Sequence, residues 1–310
     1  MAWFKKEAGF DLSVFHDFAP PPTGGGHQFM RALCSEFEAR GLRLEYNQLN
    51  STTPNCFFNS YNFQFKKLTK VLKKAKRVTC VHRIDGPLQT YRGFDDGTDR
   101  LISEFNRMFA HHTVVQSRFS LEKHQELGYS AVHPVLIGNT PDPSIFHSHG
   151  ASIFDPHRKC RLISASWSDN PNKGLEIYRW LDTHLDFNQV DYTFVGRIQT
   201  DLKHIQYLEP MASEPLATLL RSHDIYLTAS RHDPCSNSLL EAMACGLPVL
   251  YLNSGGHPEL VQKAGLGYDS ADEIPEKLNQ LCSDYDSFTS ARHLPSLQTI
   301  ADRYLDLFDL

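Results

Sequence analysis

The densest set of reactive side chains lies between residues 228 and 250: Thr228-Ala229-Ser230-Arg231-His232-Asp233-Pro234-Cys235-Ser236-Asn237-Ser238-Leu239-Leu240-Glu241, then Ala242-Met243-Ala244-Cys245-Gly246-Leu247-Pro248-Val249-Leu250. The pattern reads as a strand ending near Ala229, a polar loop with Asp233, and a helix over Ser236–Cys245. Ser236 or Asn237 suits the N-cap. The first turn of a helix has free N–H groups, and with the helix dipole they favour an anion such as a diphosphate. Glu241 falls about one turn into this helix. A carboxylate beside an anion site suits hydroxyl groups, as on a ribose or a sugar. Gly246-Leu247-Pro248 ends the helix and starts the next strand. Asn253-Ser254-Gly255-Gly256-His257-Pro258-Glu259 is a second loop-to-helix turn. Local physics alone is equally served by two ordinary β-to-α turns with capping residues.

These loops need strands and helices to hold them. Leu12–Phe15 reads as a strand and His27–Arg40 as a helix, with Phe29, Leu33 and Phe37 on one face. Gly41 is placed to end that helix. Strands follow at Leu42–Tyr46, Val78–His82, Thr113–Gln116 and His133–Ile137. Helical segments lie near Phe63–Ala75, Leu101–Ala110 and Phe119–Leu127. Asn139–Arg158 holds Pro141, Pro143, Pro156 and Gly150 and reads as a linker. The alternation then restarts, with strands at Arg161–Ala165, Tyr192–Val195, Ile225–Thr228 and Val249–Leu252 and a helix at Gly174–Leu185. Alternating elements imply parallel sheets covered by helices. The expectation is an α/β chain of two Rossmann-like, doubly wound domains facing across a cleft. The first spans residues 1–150 and the second 151–294.

Composition narrows the function. The chain has 310 residues, enough for about two domains of ~150 residues each. Its net charge of −5 argues against a nucleic-acid binder, which needs a basic surface. The seven cysteines form no C-x-x-C pair and read as reduced thiols of a cytoplasmic protein. The sixteen histidines are scattered, and no metal site is expected. No secretory leader is visible at Met1–Lys6, and no apolar run approaches a membrane span.

Ser230 to Val261 resembles the donor-binding signature of retaining glycosyltransferases of family 4, which have the GT-B fold. That signature has two acids eight positions apart, then Glu-Ala-x-x-x-Gly-x-Pro-Val and Gly-Gly-x-x-Glu. Glu241 matches the second acid. Asp233 stands where the family usually has glutamate. The resemblance implies that Glu241 holds the nucleotide ribose and Asp233 the transferred sugar. The backbone of Cys235, Ser236, Asn237, Ser238 and Leu239 would contact the diphosphate and sugar. Gly24-Gly25-Gly26 resembles the family's N-terminal glycine-rich turn, where Gly25 and Gly26 would let the backbone approach the donor. Ile137–Phe146 resembles the segment entering the linker.

Trp167-Ser168-Asp169-Asn170-Pro171-Asn172-Lys173-Gly174 resembles the family's lysine–glycine turn, so Lys173 would neutralise the diphosphate. The family often has an arginine where this chain has Trp167; Arg197 or Arg231 would substitute. Val81–Pro87 resembles the first domain's histidine loop, which would place His82 at the sugar. Arg83, Asp85 and Arg92 share that loop and would face the acceptor. The last helix, in Pro295–Leu310, would cross back onto the first domain through Ile300, Tyr304, Leu307 and Phe308.

The expected function is therefore metal-independent, retaining transfer of a sugar from a nucleotide sugar to a glycan or lipid-linked acceptor. No cofactor and no nucleic acid take part. No Asp-x-Asp motif is placed as a metal–diphosphate clamp. The basic amphipathic stretch Lys66–Arg77 would rest on an anionic membrane, or else is a solvated outer helix. The rivals are a non-catalytic sugar-nucleotide-binding relative and a GT-B sugar-nucleotide epimerase.

Overall fold

The computed structural model describes residues 9–19, 25–75 and 77–310. Gly24 of the glycine-rich turn and Lys76 of the basic stretch lie outside the described residues. Two six-stranded parallel sheets organise the chain. The first runs β2-β1-β3-β4-β5-β6, with β1 Leu12–Phe15, β2 Leu44–Tyr46, β3 Asn55–Asn59, β4 Thr79–Ile84, β5 His112–Val115 and β6 Pro134–Leu136. The second runs β12-β11-β10-β7-β8-β9. Its strands are β7 Cys160–Ser166, β8 Val190–Gly196, β9 Gln206–Leu208, β10 Ile225–Thr228, β11 Val249–Leu252 and β12 Gly265–Tyr268.

Among the described residues twelve α-helices cover the sheets. In the first half they are α1 Gly25–Ala39, α2 Phe65–Leu72, α3 Leu88–Arg92, α4 Thr98–Phe109 and α5 Arg118–Glu126. In the second they are α6 Leu175–His184, α7 Ser213–Arg221, α8 Asn237–Ala244, α9 His257–Val261, α10 Ile274–Ser283, α11 Tyr285–Ser290 and α12 Leu297–Leu305. The strands are apolar runs because both sheet faces are covered. In β3, Phe57 packs with Leu12, Phe29 and Val81 on one face. Cys56 and Phe58 face Phe63, Leu68 and Phe105 on the other. The expected elements are present with ends moved by a few residues. β3, β9 and β12 have no counterpart among the strands read from sequence. β9 is three residues long and β12 holds two glycines, while β3 is Asn-Cys-Phe-Phe-Asn, an apolar run without alternation between two asparagines.

Each sheet has one point where the strand order reverses: between β1 and β3 in the first, and between β7 and β10 in the second. Loops that leave the carboxyl ends of strands at such a point diverge and open a crevice. The two halves meet there. Asn139 Nδ2 donates to Asn237 Oδ1 at 3.0 Å, and Asn172 Nδ2 to the Tyr91 carbonyl at 2.6 Å. The Glu259 carboxylate accepts from Arg118 N at 3.0 Å and Phe119 N at 3.1 Å, so the second half caps α5 of the first. The chain also returns at its end. Tyr304 and Phe308 are buried, with their ring centres 5.4 Å and 6.5 Å from that of Phe57. Arg40 Nη2 donates to the Gln298 carbonyl at 2.8 Å beside them.

Candidate active site

A cavity of about 260 Å³ lies where the loops after β7 and β10 face the start of α1. The loop after β7 supplies Trp167, Ser168 and Lys173. Gly174 then turns into α6 with φ 79°, and a Cβ there would sit 2.3 Å from the Ala229 carbonyl. Glycine is required at that position, and it brings the two loops together. Lys173 Nζ lies 3.0 Å from Asp233 Oδ2 and 5.7 Å from the Tyr91 ring centre. Burial disfavours the ammonium, but the Asp233 carboxylate outweighs it and holds the Lys173 pKa above its ordinary value. Burial likewise pushes against the Asp233 charge, and Lys173 with His257 holds its pKa low. Both groups are therefore ionised across the neutral range.

The loop after β10 ends at α8. Ser236 holds the N-cap position, but its side chain makes no capping bond. The expected cap is thus absent. Asn237 is tied instead to Asn139, and Ser238 Oγ accepts from Tyr226 at 2.9 Å. Among the described residues the first N–H groups of α8 have no side-chain acceptor, which leaves them to an anion in the cavity. Cys235, Ser236, Asn237 and Ser238 all line that cavity. Gly25 packs against Asn237, where a Cβ would come within 2.3 Å of the Asn237 Cβ. The first turn of α1 can therefore form the opposite wall only as glycine.

Glu241 also lines the cavity and is 7% exposed. Burial raises its carboxyl pKa to about 8, and no cation or donor among the described residues offsets this. Val195, Pro210, Met211 and Leu216 add an apolar part of the wall. The arrangement can hold an anion between Lys173 and the start of α8, offer Glu241 to hydroxyls, and shelter a flat apolar group.

Three expected site residues lie away from this cavity. His82 does not reach the cavity: it is fully buried. Its Nε2 lies 2.9 Å from the Ser60 carbonyl and its Nδ1 3.2 Å from Asn106 Nδ2, with the ring against Phe58. It sits inside β4, where side chains alternate, and faces the aromatic core. The Leu239 side chain is core, which leaves the expected backbone role unaltered. Gly26 is not in the cavity wall; Gly25 is. Arg197 is outside the wall too, its guanidinium 4.6 Å from the Trp167 ring centre. Arg231 pairs with Glu176. Lys173 is the one lysine or arginine in the wall among the described residues.

Of the wall, the pattern reading missed Gln28, Tyr91, Pro210, Met211 and Leu216. Pro210 and Met211 follow β9, and a strand that is not recognised cannot place its loop. The triplet Asp284-Tyr285-Asp286 falls at the start of α11, away from the cavity. Among the described residues no group of three or more His, Cys, Asp or Glu side chains could hold a metal ion.

Residues 186–284 match the family model for glycosyl transferases group 1. That segment holds Asp233, Glu241 and the loop between them. Spore coat protein SA of Bacillus subtilis is 27% identical over 95 residues, which spans 29% of this chain and 25% of that protein. Solved structures agree with the fold over nearly the whole chain. Sucrose-phosphate synthase from Thermosynechococcus elongatus has a TM-score of 0.69 at 14% identity, covering 97% of this chain and 95% of that one. Anabaena HepE in complex with UDP has a TM-score of 0.67 at 17% identity, covering 97% of both chains. A glycosyltransferase from Rickettsia africae has a TM-score of 0.65 at 14% identity, covering 97% of both. The fold is GT-B.

Proposed function

We propose that this chain transfers a sugar from a nucleoside-diphosphate sugar to a glycan or lipid-linked acceptor, with retention of configuration and without a metal ion. One observation carries the reading: the cavity at the second sheet's switch point joins Lys173 to a helix start without a side-chain cap and a Glu241 carboxyl without a partner among the described residues. These meet the three parts of such a donor. The diphosphate lies on the α8 amides and Lys173, the ribose hydroxyls on Glu241, and the base against Pro210, Met211 and Leu216. UDP-glucose is the first donor to try, given the likeness to a protein crystallised with UDP.

In the transfer, the bond from the sugar's anomeric carbon to the phosphate oxygen breaks and a bond to the acceptor oxygen forms. The acceptor's proton passes to the leaving phosphate. Charge growing on that phosphate is met by Lys173 and helix amides, which stabilise it where it develops. Asp233 is placed to take sugar hydroxyls, once the arriving diphosphate shares Lys173. With His82 buried, no histidine lines the cavity among the described residues.

A panel of nucleotide sugars, with hydrolysis and transfer followed by chromatography and product anomers read by NMR, tests this. Turnover of one donor with retained configuration is expected, and it persists in EDTA. Inverted product, or activity lost in chelator and restored by Mg²⁺, would refute the mechanism. The Lys173–Asp233 pair favours one rival, a relative that binds sugar nucleotides without turnover. Tight binding with no hydrolysis of any donor would establish that rival.

Lys173→Ala is expected to weaken nucleoside diphosphate binding by about 10- to 100-fold, the worth of a charged hydrogen bond, and nucleoside binding little. It also leaves the Asp233 carboxylate facing the phosphates without its counter-ion. Calorimetry with both ligands decides it; equal losses would show that Lys173 does not meet the phosphates.

The reading places the chain in the cytoplasm, at the inner face of a membrane. No described helix is long and apolar enough to cross one. On α2, Leu68 and Leu72 pack inward while Lys66, Lys67, Lys70 and Lys73 are exposed, with Lys74 and Arg77 beyond. Each such charge near an anionic surface contributes about 1 kcal/mol. Sedimentation with phosphatidylglycerol vesicles is expected, and its loss at high salt. Equal sedimentation of a variant with these lysines changed to glutamine would remove the membrane role.

A further inference from the structure

The first sheet has its own switch point, between β1 and β3, and the donor reading leaves it unused. His16 is the residue after β1, and Asn59 is the last residue of β3. A row of hydrogen bonds starts there. The buried Arg83 donates from Nη1 to Asn59 Oδ1 at 2.7 Å. Asn59 Nδ2 is 3.2 Å from His16 Nδ1, and His16 Nε2 is 2.9 Å from His27 Nδ1.

Arginine can only donate, and this decides the polarity of the whole row. Asn59 accepts at its oxygen, so its amide nitrogen donates to His16 Nδ1. His16 therefore keeps its proton on Nε2 and gives it to His27 Nδ1. His27 then carries its own proton on Nε2, at the half-exposed end. Burial first, then the neighbouring His27 and Arg83, lowers the His16 pKa to about 4. Burial and then Arg31 lower that of His27. The row stays neutral, and its end is a fixed donor.

Arg31 lies one turn further along α1. It is half-buried and has no ion-pair or hydrogen-bond partner among the described residues. Asp85 also acts on both histidines. Its carboxylate is already engaged by Arg83 at 3.0 Å and by Gln116 Nε2 at 2.7 Å. The cluster thus ends in two donors, His27 Nε2–H and the Arg31 guanidinium, that have no acceptor among the described residues. It stands beside Gly25 and Gln28, which line the donor cavity.

We infer that His27 and Arg31 form the phosphate-binding part of the acceptor site, so that the acceptor is a phosphate-bearing molecule, either a soluble ester or a lipid. The inference rests on the glycosyltransferase reading, since it gives the second switch point to the donor and the first to the acceptor. A forked guanidinium and a fixed imidazole N–H match the oxygens of a phosphate; a neutral sugar would leave the guanidinium unmatched. The first-sheet carboxylate, Asp85, is left to take an acceptor hydroxyl.

The test reads ¹⁵N imidazole signals of the full chain, with His27 assigned through His27→Gln. The expected tautomer is Nε2–H. Glycerol 3-phosphate in one arm, and phosphatidylglycerol nanodiscs in the other, separate the soluble from the lipid source. A saturable shift of the His27 signal in either arm is expected, and it survives Lys173→Gln. Arg31→Gln should weaken it by about tenfold or more, the worth of a charged hydrogen bond, while leaving nucleoside diphosphate affinity unchanged. An Nδ1–H tautomer, no saturable shift in either arm, or equal affinity in Arg31→Gln overturns the inference. Absence of nucleoside diphosphate binding in the parent chain would sink the donor reading, and the phosphate titration could still be read by itself.

Discussion

Glu241→Ala is expected to lower transfer by about 100-fold or more, since a charged contact to each of two ribose hydroxyls is worth ~1.5–3 kcal/mol. The fold should survive, because Glu241 forms cavity wall rather than packed core. Glu241→Gln separates the two roles of this residue. Without ligand, burial holds the carboxyl pKa at about 8 against an ordinary 4.5. Between those values the unfolded chain releases the proton and the folded chain keeps it. The parent's stability therefore falls as pH rises from the lower value to the upper one, and is level above. The cost above pH 8 is at most on the order of 4–5 kcal/mol. Glu241→Gln removes it. The variant should melt several degrees above the parent at high pH and show no such excess at pH 4.5. Nucleoside diphosphate should narrow the gap, since only the parent's carboxylate gains ribose partners. Near-normal turnover in Glu241→Ala, or parallel melting curves of parent and Glu241→Gln across pH, would remove Glu241 from the donor site.

Truncation after Leu294 is expected to leave a chain that does not fold to a stable state. Leu297, Ile300, Tyr304, Leu305 and Phe308 are all at most 6% exposed. Four of them complete a core with Leu12, Phe29, Phe57 and Val81 of the first sheet. At ~1.5–3 kcal/mol per buried large side chain, their loss approaches the whole stability of a domain. Tyr304→Ala alone should cost about 3–5 kcal/mol, since no small shift of Phe57 and Phe29 refills the space. Denaturant unfolding of the point variant and dye binding by the truncated chain are the measurements. A truncated chain that unfolds cooperatively at the parent's midpoint would show that the strap is dispensable. The strap also matters to the cleft. Thr140 Oγ1 in the linker donates to the Pro295 carbonyl at 2.8 Å, so the crossing segment fastens the hinge as well as the first sheet.

Local chemistry made much of this legible. The α8 loop could be read because a strand end, a polar turn, a helix start and Gly246-Leu247-Pro248 are all short-range signals. Lys173 could be read because Gly174 must take a left-handed turn directly after it. The alternation of elements identified two parallel sheets, since each strand needs apolar residues on both faces and each crossover needs a helix. The stripe of Ile300, Tyr304 and Phe308 announced a buried helix face.

The direction of single side chains was decided only in three dimensions. His82 and Arg83 are neighbours on one strand, and the pleat sends one into an aromatic core and the other into a polar network. No pattern in the sequence says which. Ser236 has the type and place of a cap, but its hydroxyl makes no capping bond and lies 3.4 Å from Ser238 Oγ instead. Glu259 belongs to a recognisable turn, but its partner is a helix 140 residues earlier in the chain. The Arg83–Asn59–His16–His27 row joins four elements across the first sheet's switch point. Residue type and spacing act over a turn of helix or a few residues of strand, so they revealed most of the elements and the loops that could hold a diphosphate, and missed β3, β9 and β12. The tertiary structure alone decided which polar groups were left without partners in the cleft, because that depends on contacts between segments far apart in the chain.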